Sequence, residues 1–313
     1  MCKEIVLAPM EGVLDYPLRQ IITSVNKYDY CECEFIRVSD VVFPRKVFFR
    51  EVPELKTGGC TANGTPVWVQ LLGSQPEIMA GNAKVAADNG ALGIDLNFGC
   101  PSRFVHRTCG GAAMLRYPQR IGEIVKQVRD ILPSHVGVSA KIRLGWESED
   151  ELDTIMEEVV KGGADKVIIH ARTKKDGYKE EAIKWHCIAP QRAKYELPII
   201  ANGEIKDKDS ALECMRQSQC DSLMLARYAL SIPNLERVIR NNEQPYSYIE
   251  SAQLLKNFIE LIEQLLPEFY QKARVKQFMN YLRLHYEELQ QPFRAVCQQE
   301  TMVDIKKIID SIK

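Results

Sequence analysis

The sequence has no uninterrupted apolar stretch near the roughly 18 to 20 residues that a membrane span requires, so no membrane association is expected. It also has almost no net charge: 41 Lys and Arg stand against 42 Asp and Glu, a formal net of −1. That balance excludes a globally basic nucleic-acid binder and confines any contact with RNA or DNA to a local patch. No charged n-region followed by an apolar h-region opens the chain, and its 10 cysteines lack the spacing of a disulfide framework. A reducing cytoplasm is the expected compartment. Neither G-x-x-x-x-G-K-[ST] nor G-x-G-x-x-G follows any strand, which removes the P-loop and Rossmann modes of nucleotide binding. Low-complexity tracts and short exact repeats are absent as well.

What is present is enough apolar material, 45% of 313 residues, for one large domain and a small one. From residue 4 to about 240, β-branched runs alternate with helical periodicity, the signature of βαβ units. Eight strands are expected: Ile5 to Pro9, Glu34 to Val38, Val67 to Leu72, Gly93 to Asn97, Val138 to Leu144, Lys166 to His170, Pro198 to Ala201 and Ser222 to Ala226. The count and span fit an α/β fold of the (β/α)₈ TIM-barrel type, typically about 250 residues, better than an open doubly wound sheet. Helices are expected over Gln75 to Asn89, Pro118 to Leu132, Glu149 to Gly162 and Asp207 to Arg216, each starting near Pro, Ser or Asp. Residues 58–65 and 103–113 read as loops. Beyond about 243 only helical periodicity remains, so residues 1–242 form the expected barrel domain and 243–313 a small all-α domain. Its clearest helix is expected from Tyr270 to Leu289, with Lys272, Lys276 and Arg283 on the flank of an apolar face.

The chemistry concentrates in Leu96-Asn97-Phe98-Gly99-Cys100-Pro101-Ser102-Arg103-Phe104-Val105. There a strand ends, and Gly99 with Pro101 turns the chain so that Cys100 stands at the carboxyl edge, where parallel α/β proteins build active sites. Ala201-Asn202-Gly203-Glu204 after the seventh strand and Ala226-Arg227 after the eighth have the parts of a barrel-type phosphate site. Lys141, in a buried-looking strand, needs a partner for its charge, Gln70 interrupts the apolar third strand, and His170 ends the sixth. Three polar side chains converging on one mouth suit a flat, polar, anionic cofactor ring.

Plainer readings stand beside these. A lone strand cysteine is commonly buried and inert, a strand His or Gln a satisfied core residue, Asn202-Gly203 a simple turn, and a basic helix flank a solvated face. A zinc site from Cys100, His106 and Cys109 is disfavoured because no C-x-x-C pair or second half-site accompanies them, and Cys31-Glu32-Cys33 is too tight for a zinc knuckle. No metal is expected.

Taken in order, Ala8-Pro9-Met10-Glu11-Gly12-Val13, Val69-Gln70-Leu71-Leu72-Gly73, Asp95 to Ser102, Lys141-Ile142-Arg143-Leu144-Gly145, His170-Ala171-Arg172-Thr173 and Ala201-Asn202-Gly203-Glu204-Ile205 resemble the tRNA-dihydrouridine synthases. The joint match is specific although each segment alone is weak. Glu34 to Val38, Ile232-Pro233-Asn234-Leu235 and Lys276-Gln277 to Tyr281-Leu282-Arg283 look most like the bacterial C-type subgroup, which modifies the uridine at D-loop position 16. The resemblance implies an enzyme with tightly but noncovalently bound FMN, using NADPH to reduce the 5,6 double bond of a tRNA uridine, with Cys100 donating a proton to C5. It implies that Pro9 and Met10 pack near the flavin, that Gln70 and Lys141 meet its polar edge, and that His170 lies beside it. By the same resemblance Asn202, Gly203, Glu204, Ala226 and Arg227 fall at the phosphate, and Asn97 helps to hold the uracil. Ala226 departs from the family's usual Gly, a difference of one methyl. Arg37, Lys272, Arg274, Lys276 and Arg283 are the expected RNA contacts, and a monomer is expected. The competing readings are a flavin barrel acting on a free pyrimidine or enone, which needs no basic helical appendage, and an RNA-binding scaffold without cofactor, which needs no Cys100, Lys141 and His170 together.

Overall fold

Alternate residues of short β-branched runs point to opposite faces, and the helices between them start on a proline or a capped Asp, Ser or Thr. The computed structural model of the protein describes residues 2–102 and 110–312. Its parallel strands are β1 Glu4–Leu7, β2 Tyr30–Glu32, β3 Ile36–Arg37, β4 Val67–Leu72, β5 Gly93–Asn97, β6 Gly137–Arg143, β7 Lys166–His170, β8 Ile199–Asn202 and β9 Ser222–Leu225. They form a 9-stranded sheet ordered β2-β1-β9-β8-β7-β6-β5-β4-β3, and the additional pairing of β2 with β4 closes it into a (β/α)₈ barrel.

The second stave corrects the expectation of a strand over Glu34 to Val38. It begins at Tyr30, with Cys31 and Glu32 opposite Val67 and Trp68, and resumes with Ile36 and Arg37 opposite Leu71 and Leu72. Between them the ladder lapses because the Gln70 N–H donates to Cys33 Sγ (3.3 Å) rather than to a carbonyl, while Glu34 accepts the Val13 N–H at 2.8 Å.

The barrel interior is polarised. Val6, Ala8, Ile168, Ile200 and Met224 form an apolar inner cluster with Tyr30 and Trp68, whereas Glu32, Gln70, Asp95, Ser139 and Lys141 gather on the side of β2, β4, β5 and β6. Tyr30 and Trp68 stack with centroids 4.4 Å apart, and the Lys166 ammonium sits 4.9 and 5.2 Å from the two rings while pairing with Glu4 at 2.6 Å. Gly93 is required here, since a Cβ would lie 2.2 Å from the indole.

After β9 every element is helical: Tyr228–Ser231, Leu235–Asn241, Tyr248–Leu265, Glu268–Leu282, Gln290–Cys297 and Met302–Asp310, with a 3₁₀ turn at Glu287–Leu289. Ser247 and Glu250 form a capping box that starts the longest of them. The helix expected from Tyr270 to Leu289 therefore ends at Leu282, where the N–H groups of His285 and Tyr286 both turn back to its carbonyl. Tyr286 and Leu289 stay buried beyond the break, which is why apolar spacing alone does not reveal it. Arg274 and Gln277 tie this region to the barrel, donating to the Gly12 carbonyl at 3.2 and 2.7 Å. No helix of the described residues is long and apolar enough to cross a membrane.

Candidate active site

The carboxyl ends of the strands open on a cavity of about 740 Å³ bordered by Pro9, Met10, Gln70, Asn97, Cys100, Lys141, His170, Asn202, Gly203, Glu204, Ala226 and Arg227. Residues scattered over more than two hundred positions meet there because each lies in the carboxyl-terminal half of a strand or in the loop that follows one. Ligand pockets of roughly 300–1,000 Å³ are the usual size for a cofactor and part of a substrate.

Its floor is polar and carries two hydrogen-bonded chains. Gln70 Nε2 donates to Glu32 Oε2 (3.0 Å) and Asp95 Oδ2 (2.7 Å), and Asp95 Oδ1 accepts from the Ser139 hydroxyl at 2.5 Å. Gln70 Oε1 accepts from Asn97 Nδ2 at 2.8 Å. Lys141 Nζ donates to Asn202 Oδ1 at 3.1 Å, and Asn202 Nδ2 in turn donates to the Met224 carbonyl at 2.8 Å. Burial pulls the Lys141 ammonium below the usual lysine range, and the carboxylates of Glu32 and Asp95 oppose that pull. Burial pushes Asp95 up to about 6 against its hydrogen bonds from Ser139 and Gln70. Glu32 rises well above the carboxylate range, through burial and the neighbouring Asp95.

On the far wall, Arg172 and Arg227 both pair with Glu204, Arg172 at 3.1 Å and fully buried. The Tyr228 hydroxyl donates to Glu204 Oε2 at 3.4 Å. His170 Nε2 lies 3.2 Å from Arg172 Nη1. A guanidinium only donates, so Nε2 accepts and the ring proton sits on Nδ1. Burial and the four cations Arg143, Lys141, Arg172 and Arg227 hold this imidazole well below its ordinary pKa, hence neutral. Gly203 has φ +119°, and a Cβ there would come within 2.7 Å of Ile183 and 2.9 Å of His170, so the backbone hugs the wall as only glycine allows. Its carbonyl accepts from Trp185 Nε1 at 2.9 Å.

Cys100 stands at the cavity's edge, partly exposed, on a turn made by Asn97. Asn97 Oδ1 accepts the N–H groups of Gly99 (3.0 Å) and Cys100 (2.9 Å), an Asx-type turn. Arg143, buried beneath, donates to the Gly99 carbonyl at 2.7 Å. Burial pushes the Cys100 thiol pKa up despite a hydrogen bond from the Ser102 backbone, so the thiol is protonated at neutral pH.

The expected RNA contacts lie outside the cavity wall. Arg37 is 37% exposed at the rim, 3.8 Å from Glu11. Lys272 donates to the Glu300 carbonyl (2.6 Å), and Lys276 to those of Cys297 and Gln299 (3.2 and 3.3 Å). Arg283 holds Asn280 Oδ1 at 2.7 Å and lies 4.5 Å over the Phe293 ring. None of these last three cations pairs with a carboxylate among the described residues, so their charge is uncompensated. Arg274 is placed differently: its guanidinium is 13% exposed and turned onto the Val13 carbonyl (2.5 Å) and Asp15 (2.7 Å), latching the helical region to the loop after β1.

Sequence reasoning missed Glu32, Asp95, Arg143, Arg172 and Tyr281, all of which line the cavity or support its floor. Asp95 was open to it, since it stands two residues before Asn97 on one strand and must share its face. His106 and Cys109, weighed above as metal ligands, and most of the loop expected over 103–113 lie outside the described residues. Among the described residues no group of His, Cys, Asp and Glu is arranged to hold a metal ion.

A family model described as dihydrouridine synthase matches residues 6–309 of the chain. The chain is 44% identical over 308 residues to a tRNA-dihydrouridine(16) synthase of Escherichia coli strain K12, covering 98% of both. It is 45% identical over 292 residues to one of Vibrio parahaemolyticus, covering 93% of this chain and 91% of the relative. It is 42% identical over 302 residues to one of Haemophilus influenzae, covering 96% and 97%. Among solved structures, histamine dehydrogenase from Rhizobium sp. 4-9 aligns with a TM-score of 0.57 at 14% identity, over 76% of this chain and 46% of that one. That likeness is one of fold, and the chain spans less than half the length of that enzyme.

Proposed function

Because the chain belongs to the dihydrouridine synthase family, we propose that it reduces a uridine in the D-loop of tRNA, at position 16, to dihydrouridine, with noncovalent FMN as cofactor and NADPH as reductant. The observation that carries this reading is the meeting, at one mouth, of a protonated thiol on a fixed turn, a buried ammonium and a glycine-lined anion wall. The single-chain cavity has room for one flavin mononucleotide and a base beside it.

The donor set fits that cofactor. Asn202, Gly203 and Ala226, with Arg227, would hold the ribityl phosphate by backbone and guanidinium, Glu204 orienting Arg227. The Ala226 methyl is compatible with use of its backbone N–H alone. Lys141 would face the polar edge of the ring, His170 would flank it as a neutral imidazole, and Pro9 and Met10 would pack on it. Gln70 contributes less than the resemblance implies, because both its N–H groups are already taken by carboxylates. When bound, FMN supplies hydride transfer from NADPH to uracil C6. Cys100 then delivers its proton to C5 from the opposite face, which requires the thiol to remain un-ionised until that moment. Asn97 stands beside the base but is engaged with the turn and Gln70, so its part is to hold the thiol's backbone.

The base lies inside a folded RNA and must be drawn out, the rest of the tRNA being held by shape and phosphate charge. We assign that grip to residues 243–313, a helical tRNA-binding domain beginning after Asn242, and to Arg37 on the barrel 1–242. Lys272, Lys276 and Arg283 supply the cations, and Arg274 holds the domain in place. The double variant Lys276→Gln, Arg283→Gln is expected to weaken tRNA binding and to flatten its log-affinity against log-salt slope by roughly 0.7 to 0.9 for each phosphate it no longer neutralises. Flavin reduction by NADPH should be unchanged. Wild-type affinity with a wild-type slope would move the RNA site elsewhere.

The function itself is tested by mapping dihydrouridine in tRNA from cells with and without the protein, and by the colour of the purified protein. Loss of the modification at D-loop position 16 in the deletion strain, with flavin released intact on denaturation, is the expected result. Retention of the modification, or turnover of free uridine as fast as of tRNA, would overturn it.

A further inference from the structure

We infer that Glu32 is a positioning residue for the Cys100 turn, acting through a one-directional relay of side-chain amides, Glu32 to Gln70 to Asn97, that ends on the Cys100 backbone. The inference rests on the reading of Cys100 as the reacting thiol and adds a residue that the motifs around the cavity do not contain.

The relay is read from the hydrogen bonds. Gln70 Nε2 has two N–H groups and two carboxylate acceptors, Glu32 Oε2 at 3.0 Å and Asp95 Oδ2 at 2.7 Å. Turning the amide over would set its NH₂ against the NH₂ of Asn97 and its oxygen against the oxygens of Glu32 and Asp95. Its oxygen is therefore directed at Asn97, where it accepts from Nδ2 at 2.8 Å. Asn97 cannot turn over either: its oxygen would meet the Gln70 oxygen, and its NH₂ would meet two N–H donors. Asn97 Oδ1 is thereby aimed at the Gly99 and Cys100 N–H groups, at 3.0 and 2.9 Å. Each link leaves the next a single orientation, from Glu32 Oε2 at the barrel centre to the two backbone N–H groups of the turn.

Glu32, Gln70 and Asp95 are 0% exposed and Asn97 is 6% exposed, so water has little access to replace a lost link. Asp95 is itself held by Ser139 (2.5 Å), whereas Glu32 Oε1 is buried without a partner. The Glu32 carboxylate is thus placed for what Oε2 does toward Gln70, and with Asp95 it faces the ammonium of Lys141. Cutting the relay frees Asn97 to rotate, loosens the turn and exposes the thiol.

The test reads Cys100 directly, in the full-length protein with and without added FMN, by its rate of alkylation with iodoacetamide at fixed pH, followed by peptide mass spectrometry. Exposed Cys297 serves as the internal control. Glu32→Met is expected to speed Cys100 alkylation by about three-fold or more, and Gln70→Met by as much, with Cys297 unchanged. The double variant should go no further than the larger single change, because both cut one chain. Glu32→Gln, whose amide oxygen still accepts, should stay within about two-fold of wild type. An unchanged Cys100 rate in Glu32→Met, additive effects in the double variant, or Glu32→Gln behaving like Glu32→Met would each overturn the relay, the last by making charge the operative property. Should Glu32→Met not fold, Gln70→Met and Glu32→Gln are read by the same criteria. Failure of Cys100 as the acid would leave these rates untouched and show only in uridine turnover, so the two readings fail separately.

Discussion

Cys100→Ala is expected to lose uridine reduction by about 10²–10⁴-fold, the range that a positioned general acid contributes, while flavin reduction by NADPH proceeds at the wild-type rate. The side chain sits at the edge of the cavity and outside the floor network, so its removal takes away no hydrogen bond on which Lys141, Gln70 or Asn97 depends. The turn survives because Asn97 binds the Cys100 backbone and not its sulfur. Burial raises the thiol pKa, with Glu11 acting in the same direction and Arg143 and Arg37 opposing. With Cys100 proposed as the acid, its protonated form carries the step, so the wild-type rate should fall only as pH rises through a value above the ordinary thiol range, and the residual rate of the variant should lack that alkaline limb. Single-turnover measurements on pre-reduced enzyme with tRNA, run across pH, check both points. Dihydrouridine formation at the wild-type rate would make Cys100 a structural residue, and a surviving alkaline limb would assign the ionisation to another group.

The barrel was legible because its strands announce themselves by β-branched runs and its polar strand residues by interrupting them. Lys141, Gln70 and His170 each stood out as polar positions in apolar runs, and each borders the cavity. Asp95 shows the same signal, two residues from Asn97 on the same face, and was overlooked. Glu32 was hidden for a different reason. Its strand is three residues long and breaks where Cys33 Sγ replaces a carbonyl as the ladder acceptor, so the apolar run that follows, Phe35 to Val38, drew the strand assignment away from it. The buried pair Arg172 with Glu204 joins the loops after β7 and β8, and no local spacing links them. Arg274 is one of the RNA contacts expected from the sequence. Only the folded chain shows that its charge is turned onto Asp15 and the carbonyls of the loop after β1. Periodicity records which side of a helix faces inward, but not where a helix gives way to a turn that keeps the same side inward, as happens after Leu282.

Lys141→Met is expected to reduce flavin affinity and also to destabilise the protein without flavin, the second effect being the more diagnostic. The ammonium lies among Glu32, Asp95 and Asn202 at the floor of the cavity, and the two carboxyl groups behind it are fully buried. Removing one partner from a buried ionic cluster typically costs about 3–5 kcal/mol, because the remaining charges have no water to turn to. The carboxyl groups then respond by holding protons. Asp95, already raised to about 6 by burial, loses the one cation that opposes the rise, and Glu32 loses the same support. The sign follows from linkage. When a carboxyl pKa is higher in the folded than in the unfolded state, the folded protein binds more protons over the interval between the two values, and stability falls as pH rises through that interval. In the wild type the fall due to Asp95 is complete a little above pH 6. In the variant the folded value of Asp95 lies higher, so its contribution to stability continues to fall beyond that point, toward neutrality. The deficit relative to wild type should therefore be smaller near pH 5 and larger near pH 7.5, as read by urea unfolding of the flavin-free proteins at the two conditions. A methionine that merely packed poorly would give the same deficit at both. If the deficit did not grow with pH, the ammonium would not be the counter-charge of the buried carboxylates, and the electrostatic account of the cavity floor would fail with it.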